Sequence, residues 1–577
     1  RLLIWAAGVG LLAGGVALLF GLAADELPAR VWGPGPSLAR AVAGCSPFWR
    51  LLVPTLGGLL AGLVLARGTR YSAPARGWDI LEAVTLRDGV LHLRPALVRG
   101  LSSLLTVASA GPVGREGPMV LLSAAVSSRL GRSFGVPTRQ LRILVGCGVA
   151  AGIACAYNTP IGAALFTMEI IIGSFALDVF APLVFASVAA TLLAHARAGS
   201  LPLFPLPDLA LVSFWEIAFS ALLGVLGGLT AALFLQALRG AAALFRRSRL
   251  SRPLAMGAAG FVLGLVILEW PQVVGNGRDA IGQMLTERWS VPLALGLLVA
   301  RLGLTSLTVG AGTVGGVFTP TLFLGAALGE AFGALTRALG PAWVGAPEAY
   351  CVVGMAALLA GTTHAPLTAA VMLFEMTLDY NIVLPLLVAA AAASLVARGL
   401  SRESIYTEAL RRKRATADDS PEAAVIRTLT VADVMRSEQT TVPADLELPR
   451  VLDRFIATRR NHLYVVDGEG RFEGGVSLQD ANRRLRESEA PQEVRARDLL
   501  IPRFPSAVRD ERLDGVLERF WAEECERLPV LDGAESRRLV GTISQRDILS
   551  VYSLEVLHRR SPLTRFDAAD GARREST

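Results

Sequence analysis

The sequence predicts an all-α polytopic membrane protein of two inverted repeats with broken helices, followed by a soluble α/β unit. Three observations carry this expectation. The 577 residues are too many for one ordinary domain. They are 52% hydrophobic and only 18% charged, with a mean hydropathy of +0.49, a balance that suits a bilayer. The polarity is also divided along the chain, since residues 1–400 hold long apolar runs and those from about 401 onward have ordinary soluble composition.

The apolar runs are Arg1–Ala24, Leu51–Leu65, Trp215–Leu238, Leu254–Leu268, Val291–Leu307 and Val383–Val396. The first is too long for a signal peptide and lacks a cleavage site, so it reads as a membrane helix. Basic residues gather at segment edges, as Arg246, Arg247, Arg249 and Arg252, then Arg411, Arg412, Lys413 and Arg414. The net charge of +7 therefore reads as topogenic, with no nucleic-acid partner expected. It puts the loop near residue 250 and everything after 400 in the cytoplasm. The five cysteines show no ligand spacing and read as small apolar core residues.

Several runs are interrupted where a simple spanning helix would continue: at Gly114–Pro118, Asn158-Thr159-Pro160, Gly315–Pro320 and His364-Ala365-Pro366. Non-helical backbone at membrane depth is tolerated only where protein or an aqueous cavity covers it. The breaks come in pairs. Pro160 follows Pro118 by 42 residues, and Pro366 follows Pro320 by 46. In both halves a glutamate, Glu169 or Glu375, follows the second proline by nine residues. Matching interrupted segments in two halves are the pattern of a repeat-built transporter, with its site at the repeat interface.

A helix that starts inside the membrane presents unpaired N–H groups and the positive end of its dipole, which together attract an anion. The loop holding Gly114, Arg115 and Gly117 and the loop Gly315–Pro320 both fit a helix start of this kind, and two such ends facing each other would make a weakly held anion site. Glu116 lies within the first loop. It reads as a movable carboxylate that competes with the ion, or as a proton carrier. The plain alternative is a carboxylate that caps the helix or pairs with Arg115. His364 and Asp379 lie at segment ends, where capping or interfacial solvation accounts for them. No nucleophile–base pair, metal cluster or phosphate loop stands beside the breaks, so an enzyme is not expected.

At these residues the chain resembles the CLC family of chloride channels and proton/anion antiporters. The family patterns G-x-E-G-P and G-x-F-x-P stand as Gly114–Pro118 and Gly316–Pro320. The Ser401–Arg411 segment is similar to the family's last helix. The resemblance implies a homodimer with one anion pathway per subunit and Glu116 as gate. It also implies backbone N–H groups from Val317 and Phe318 at the ion, and Tyr406 closing the site from the cytoplasmic side. The family's first motif, G-S-G-I-P, falls on Pro74–Trp78, with Ala75 at the serine position in an ungapped register and Arg76 there after a one-residue gap. The antiporters' glutamate pair reads Glu169-Ile170 here. An aliphatic residue cannot carry a proton, so the expectation is a voltage- or pH-gated chloride-like channel or an uncoupled anion transporter, with a proton-coupled antiporter as the alternative. A cation transporter fits less well, because the membrane part offers few acidic residues to replace a hydration shell.

Residues 428–556 hold a second repeat, with Asp433 and Asp498 spaced by 65 and Asp480 and Asp547 by 67. It resembles a tandem pair of CBS domains. Ser477–Asp480 and Ser544–Asp547 fit the family's Ser/Thr-x-x-Asp pattern, in which the hydroxyl meets a phosphate and the carboxylate a ribose. They equally fit helix N-caps, and both readings stand. The resulting organisation is a transmembrane domain over 1–412, a linker over 413–427, CBS domains over 428–490 and 491–556, and a polar tail over 557–577. No cofactor is required, and an adenine nucleotide at the CBS pair is what the resemblance implies. The expected location is a bacterial inner membrane, multi-pass, with the CBS pair in the cytoplasm. The expected partners are chloride or similar small anions, the lipid bilayer and a second copy of the chain.

Overall fold

The structure is a computed structural model. It describes residues 2–70, 80–86, 89–199, 201–205, 215–339, 346–408, 429–437, 441–458, 460–488, 490–501, 504–522, 526–533, 535–548 and 550. The chain forms two compact units, Arg1–Leu410 and Arg411–Thr577. Pro74–Trp78, and with it Ala75, lies outside the described residues.

The first unit is helical. Its first half contains α1 (Leu2–Trp32), α2 (Leu38–Gly44), α3 (Pro47–Arg70), α4 (Ile80–Leu86), α5 (Leu93–Ala108), α6 (Glu116–Ser133), α7 (Thr138–Tyr157), α8 (Pro160–Phe166) and α9 (Leu177–Ala198). The second contains α10 (Trp215–Ser248), α11 (Arg252–Glu269), α12 (Arg278–Thr286), α13 (Val291–Gly310), α14 (Phe318–Leu339), α15 (Pro347–Thr363), α16 (Pro366–Thr377) and α17 (Val383–Leu400). Among the described residues nine helices are long and apolar enough to cross a membrane. Their outward faces expose large apolar side chains such as Leu19, Leu192, Val299 and Leu395, as a lipid-facing surface requires.

The two halves pack alike. Helix α1 packs on α7 and α9, and α10 packs on α15 and α17; α6 packs on α7, and α14 on α15. The halves also meet through α3 and α11. There glycine lets backbones approach: a Cβ at Gly62 would lie 2.5 Å from Pro253 Cα, and without a hydrophobic drive in lipid such close packing is what holds helices together.

The breaks fall where glycine and proline punctuate the sequence. Helix α6 begins at Glu116 and α14 at Phe318, each with its proline two residues later in the first turn. Helices α8 and α16 begin on Pro160 and Pro366 themselves, positions where the missing N–H costs nothing. After α8 the chain winds through one π-helical stretch, Thr167–Ile172, that carries Glu169 and Ile170.

The second unit contains two three-stranded sheets. β1 (Thr441–Pro443) runs parallel to β2 (His462–Val466), which pairs antiparallel with β3 (Phe472–Ser477). β4 (Ala507–Val508), β5 (Arg527–Leu531) and β6 (Leu539–Ser544) repeat that order. The halves exchange their opening segments. Val431 and Val434 sit in the core of the second half with Leu528 and Ile543, and Val494, Ala496 and Leu499 sit in that of the first.

Candidate functional site

The starts of α6 and α14 are joined directly. Gly114 N–H donates to Gly316 O and Gly316 N–H donates to Gly114 O, each at 2.6 Å, in an isolated antiparallel bridge. Two helix N-termini, one from each half, therefore open from one seam. Their unpaired N–H groups and dipoles make the seam a positive notch in an apolar surround.

Glu116 occupies that notch. It is the first helical residue of α6 and is 6% exposed. Thr319 Oγ1 donates to its Oε1 at 2.5 Å, and Thr319 lies 3.0 Å from the Tyr157 hydroxyl. Among the described residues no donor reaches Oε2, which lies against the backbone of Gly114 and Gly316, where any Cβ would crowd it. A buried carboxylate oxygen without a partner is costly, so this arrangement holds an anionic group by field and not by a closed set of hydrogen bonds. A free anion could take the same place once the side chain withdraws. Arg115 does not pair with Glu116. Its guanidinium binds Asp25 of α1 and, at 3.4 Å, Gly21 O.

Below the seam a cavity of about 340 Å³ runs from Glu116, Gly117 and Gly316 past Val317 and Phe318 to Tyr406. An aromatic chain lines it: Tyr157 packs against Phe318 in a tilted pair at 4.7 Å, and Phe166 meets Tyr406 edge-on at 5.6 Å. Arg99 of α5 also lines it, and among the described residues Glu116 is its one acidic residue. Ala75 is the site residue expected from sequence that falls outside the described residues.

The second pair of breaks is closed differently. Glu375 on α16 accepts from Ile161 N–H at 2.9 Å and Gly162 N–H at 2.6 Å, at the start of α8. Glu169 accepts from Thr368 N–H at 2.9 Å and Thr368 Oγ1 at 2.6 Å, at the start of α16. Each half thus supplies the carboxylate that neutralises the other half's helix start. Of these four helix starts, those of α6 and α14 face the cavity.

Beside the seam Arg301 of α13 is fully buried. Its guanidinium donates to Val273 O and, at 2.7 Å, to Gly275 O, and it lies 5.1 Å from the Phe323 ring centroid. Thr319, Tyr157, Arg99 and Arg301 were not singled out by sequence reasoning. Thr319 alone had a signal, as the second variable position of the Gly316–Pro320 motif.

In the second unit both Ser-x-x-Asp pairs form caps. Ser477 Oγ accepts from Asp480 N–H at 3.0 Å and donates to Asp480 Oδ2 at 2.6 Å. Ser544 Oγ donates to Asp547 Oδ2, and Asp547 Oδ1 accepts from Arg436 Nε at 2.6 Å. Burial pushes the Asp547 carboxyl up, but the bonds from Ser544 and Arg436 and the nearby Arg527 outweigh it and hold it below the usual range. The Asp480 side chain is 33% exposed and that of Asp547 only 5%.

Paired broken helices that meet end to end, with a lone carboxylate at their seam above an aromatic-lined cavity, define a membrane protein that carries anions. Residues 57–398 match the family described as voltage gated chloride channel, and residues 431–487 and 496–554 each match the CBS domain. The chain therefore belongs to the CLC family of chloride channels and transporters, with a tandem CBS pair. It is 42% identical over 379 residues to a ClcB-like chloride channel protein of Ralstonia nicotianae, covering 65% of this chain and 88% of that one. It is 36% identical to the voltage-gated ClC-type chloride channel ClcB of Escherichia coli, over 64% of this chain and 89% of that one. Among solved structures, a slow cyanobacterial Cl−/H+ antiporter superposes with a TM-score of 0.65 at 25% identity, over 72% of this chain and 98% of its own. A eukaryotic CLC transporter superposes with a TM-score of 0.62 at 20% identity over 95% of this chain and 98% of its own, a likeness of fold alone.

Proposed function

We propose that this protein is a voltage- or pH-gated pathway for chloride or a similar small anion, a channel or uncoupled transporter in which Glu116 is the gate. The observation that carries the reading is the use made of Glu169 and Ile170. Glu169 is committed to the start of α16, and the next residue is aliphatic. The usual proton route from the Tyr406 side then has no carrier, while the anion route from Tyr406 to Glu116 is lined for its whole length.

Gly114, Arg115, Gly117, Val317, Phe318 and Tyr406 are the residues to which we assign anion contact or its field. The CBS pair is read as a cytosolic regulator. An adenine nucleotide there would use Ser477 and Asp480 before Ser544 and Asp547, because the Asp480 side chain is 33% exposed and that of Asp547 only 5%. A homodimer is part of the same proposal.

The second reading is a proton-coupled antiporter, favoured by the likeness to a structure described as a Cl−/H+ antiporter. One experiment separates them. The full chain is reconstituted in liposomes and the reversal potential recorded under separate chloride and proton gradients. A potential that follows chloride alone is the expected result, and a steady shift with the proton gradient would establish the antiporter instead. Glu116→Ala in the same assay is expected to leave flux open and insensitive to pH.

A further inference from the structure

On the side of Glu116 away from Tyr406 the structure holds two cavities in series. The wider, of about 290 Å³, is lined by Asp25, Arg115, Asn276, Arg278 and Asp279 together with backbone of α1, α2 and the Gly275–Asp279 stretch. The narrower, of about 10 Å³, touches Glu116 and Thr319, and is room for about one water molecule. Arg115, Asn276 and Arg278 line both.

Charge changes along this path. The wider cavity balances two arginines against Asp25 and Asp279, whereas among the described residues the narrower sets the same two arginines against Glu116 alone. The acids of the wider cavity are engaged. Asp279 accepts from Leu38 N–H at 3.0 Å, and Asp25 holds the Arg115 guanidinium. Asp25 is nevertheless 69% exposed, against 13% for Arg115, so the carboxylate can swing into water and leave its partner in place. The backbone at Arg278 is held from beneath. Buried Arg301 ties down the carbonyls of Val273 and Gly275, and Arg278 N–H donates to Asn276 Oδ1 at 3.1 Å.

Two arginines that line both cavities at a narrowing suit a small, singly charged anion such as a halide or nitrate. Glu116, buried and with Oε2 unpartnered, is the carboxylate with which an ion in this place would next exchange. We propose that Arg115 and Arg278 form an outer capture site that loads anions toward Glu116, with Asp25 as a tethered competitor for Arg115. This rests on the anion-transport reading. An arriving anion displaces Asp25 into solvent, bridges the two arginines, and moves inward when Glu116 leaves the seam.

The test is the chloride dependence of flux through the reconstituted full chain, read as the half-saturating concentration at two ionic strengths set with an impermeant salt. Arg278→Gln is expected to raise that concentration about tenfold at low ionic strength and to flatten its salt dependence, because the field at the entrance is weakened. Arg278→Lys should restore most of the salt dependence, which a purely structural role for Arg278 would not predict. Asp25→Asn, at an exposed helix position, should lower the half-saturating concentration and provides a reading should Arg278→Gln fold poorly. Unchanged half-saturation in Asp25→Asn, or in a folded Arg278→Gln beside a conducting wild type, overturns the outer site alone. Absence of chloride flux in the wild type overturns the anion-transport reading itself.

Discussion

Gly114 and Gly316 lie 202 positions apart in sequence and exchange two backbone hydrogen bonds of 2.6 Å, so that α6 and α14 open from one fixed seam. Neither residue can carry a side chain without touching Glu116. A Cβ at Gly114 would fall on its Oε2, and one at Gly316 would lie 3.0 Å from the same oxygen. Gly114→Ala is therefore expected to expel the carboxylate and leave flux less dependent on pH, with a stability loss of about 1–3 kcal/mol from overpacking. Liposome flux at neutral and acidic pH, beside thermal unfolding in detergent, measures both. Wild-type gating in this variant would contradict the placement of Glu116.

The crossed caps separate two substitutions of the same kind. Glu375 uses both oxygens, one for each N–H of α8, whereas Glu169 receives both of its bonds on Oε2. A glutamine at 169 keeps one carbonyl oxygen for Thr368. A glutamine at 375 must turn an amide N–H₂ toward a backbone donor. Glu375→Gln should cost about 1–3 kcal/mol, the range for losing a hydrogen bond to a charged group, and Glu169→Gln clearly less. Equal shifts in the unfolding temperatures of the two variants would refute the asymmetry.

Much of this was legible in the sequence, and the reason is local. Glycine and proline mark a broken helix at the residues where it breaks, so Gly114–Pro118, Gly315–Pro320, Pro160 and Pro366 could be read directly. Glu116 stood out because a carboxylate inside such a loop has no ordinary use. The partners of these groups were not legible. Thr319 reaches Glu116 across 203 positions, and Glu375 reaches Gly162 across 213, distances over which no periodicity extends. The exchange of opening segments between the CBS halves is hidden for the same reason, since Val431 and Val494 pattern identically whichever core receives them.

Tyr406 meets Phe166 edge-on and lines the cavity floor. Tyr406→Phe keeps that ring contact and removes only the hydroxyl. It should leave the unfolding free energy within about 0.5 kcal/mol of wild type, as for a change that opens no void, while weakening chloride binding severalfold. Titration calorimetry on the purified protein reads the binding. Unaltered affinity would remove Tyr406 from the site.

In the second unit Asp547 has a depressed folded-state pKa. Its ion pair and cap therefore add stability above its ordinary value of 3.8, and that stability is lost as pH falls through the lower folded value. Arg436→Ala should destabilise this unit by about 1–2 kcal/mol at neutral pH, discounted because the Arg436 side chain is 58% exposed. Part of that difference from wild type should vanish in acid. Hydrogen exchange of the strands β4–β6 in the full chain, at pH 7 and near pH 3, tests the sign. A gap that widens in acid would reverse it.

Arg301 carries a charge that water and salt cannot reach. It is fully buried, its two terminal nitrogens donate to backbone carbonyls, and no carboxylate among the described residues is within ion-pair distance of it. A guanidinium keeps its proton, and mobile ions screen only what they can approach. A sodium ion near the seam would meet this repulsion in brine almost as fully as in dilute buffer. Discrimination against cations should then stay constant across ionic strengths at which surface-charge selectivity fades.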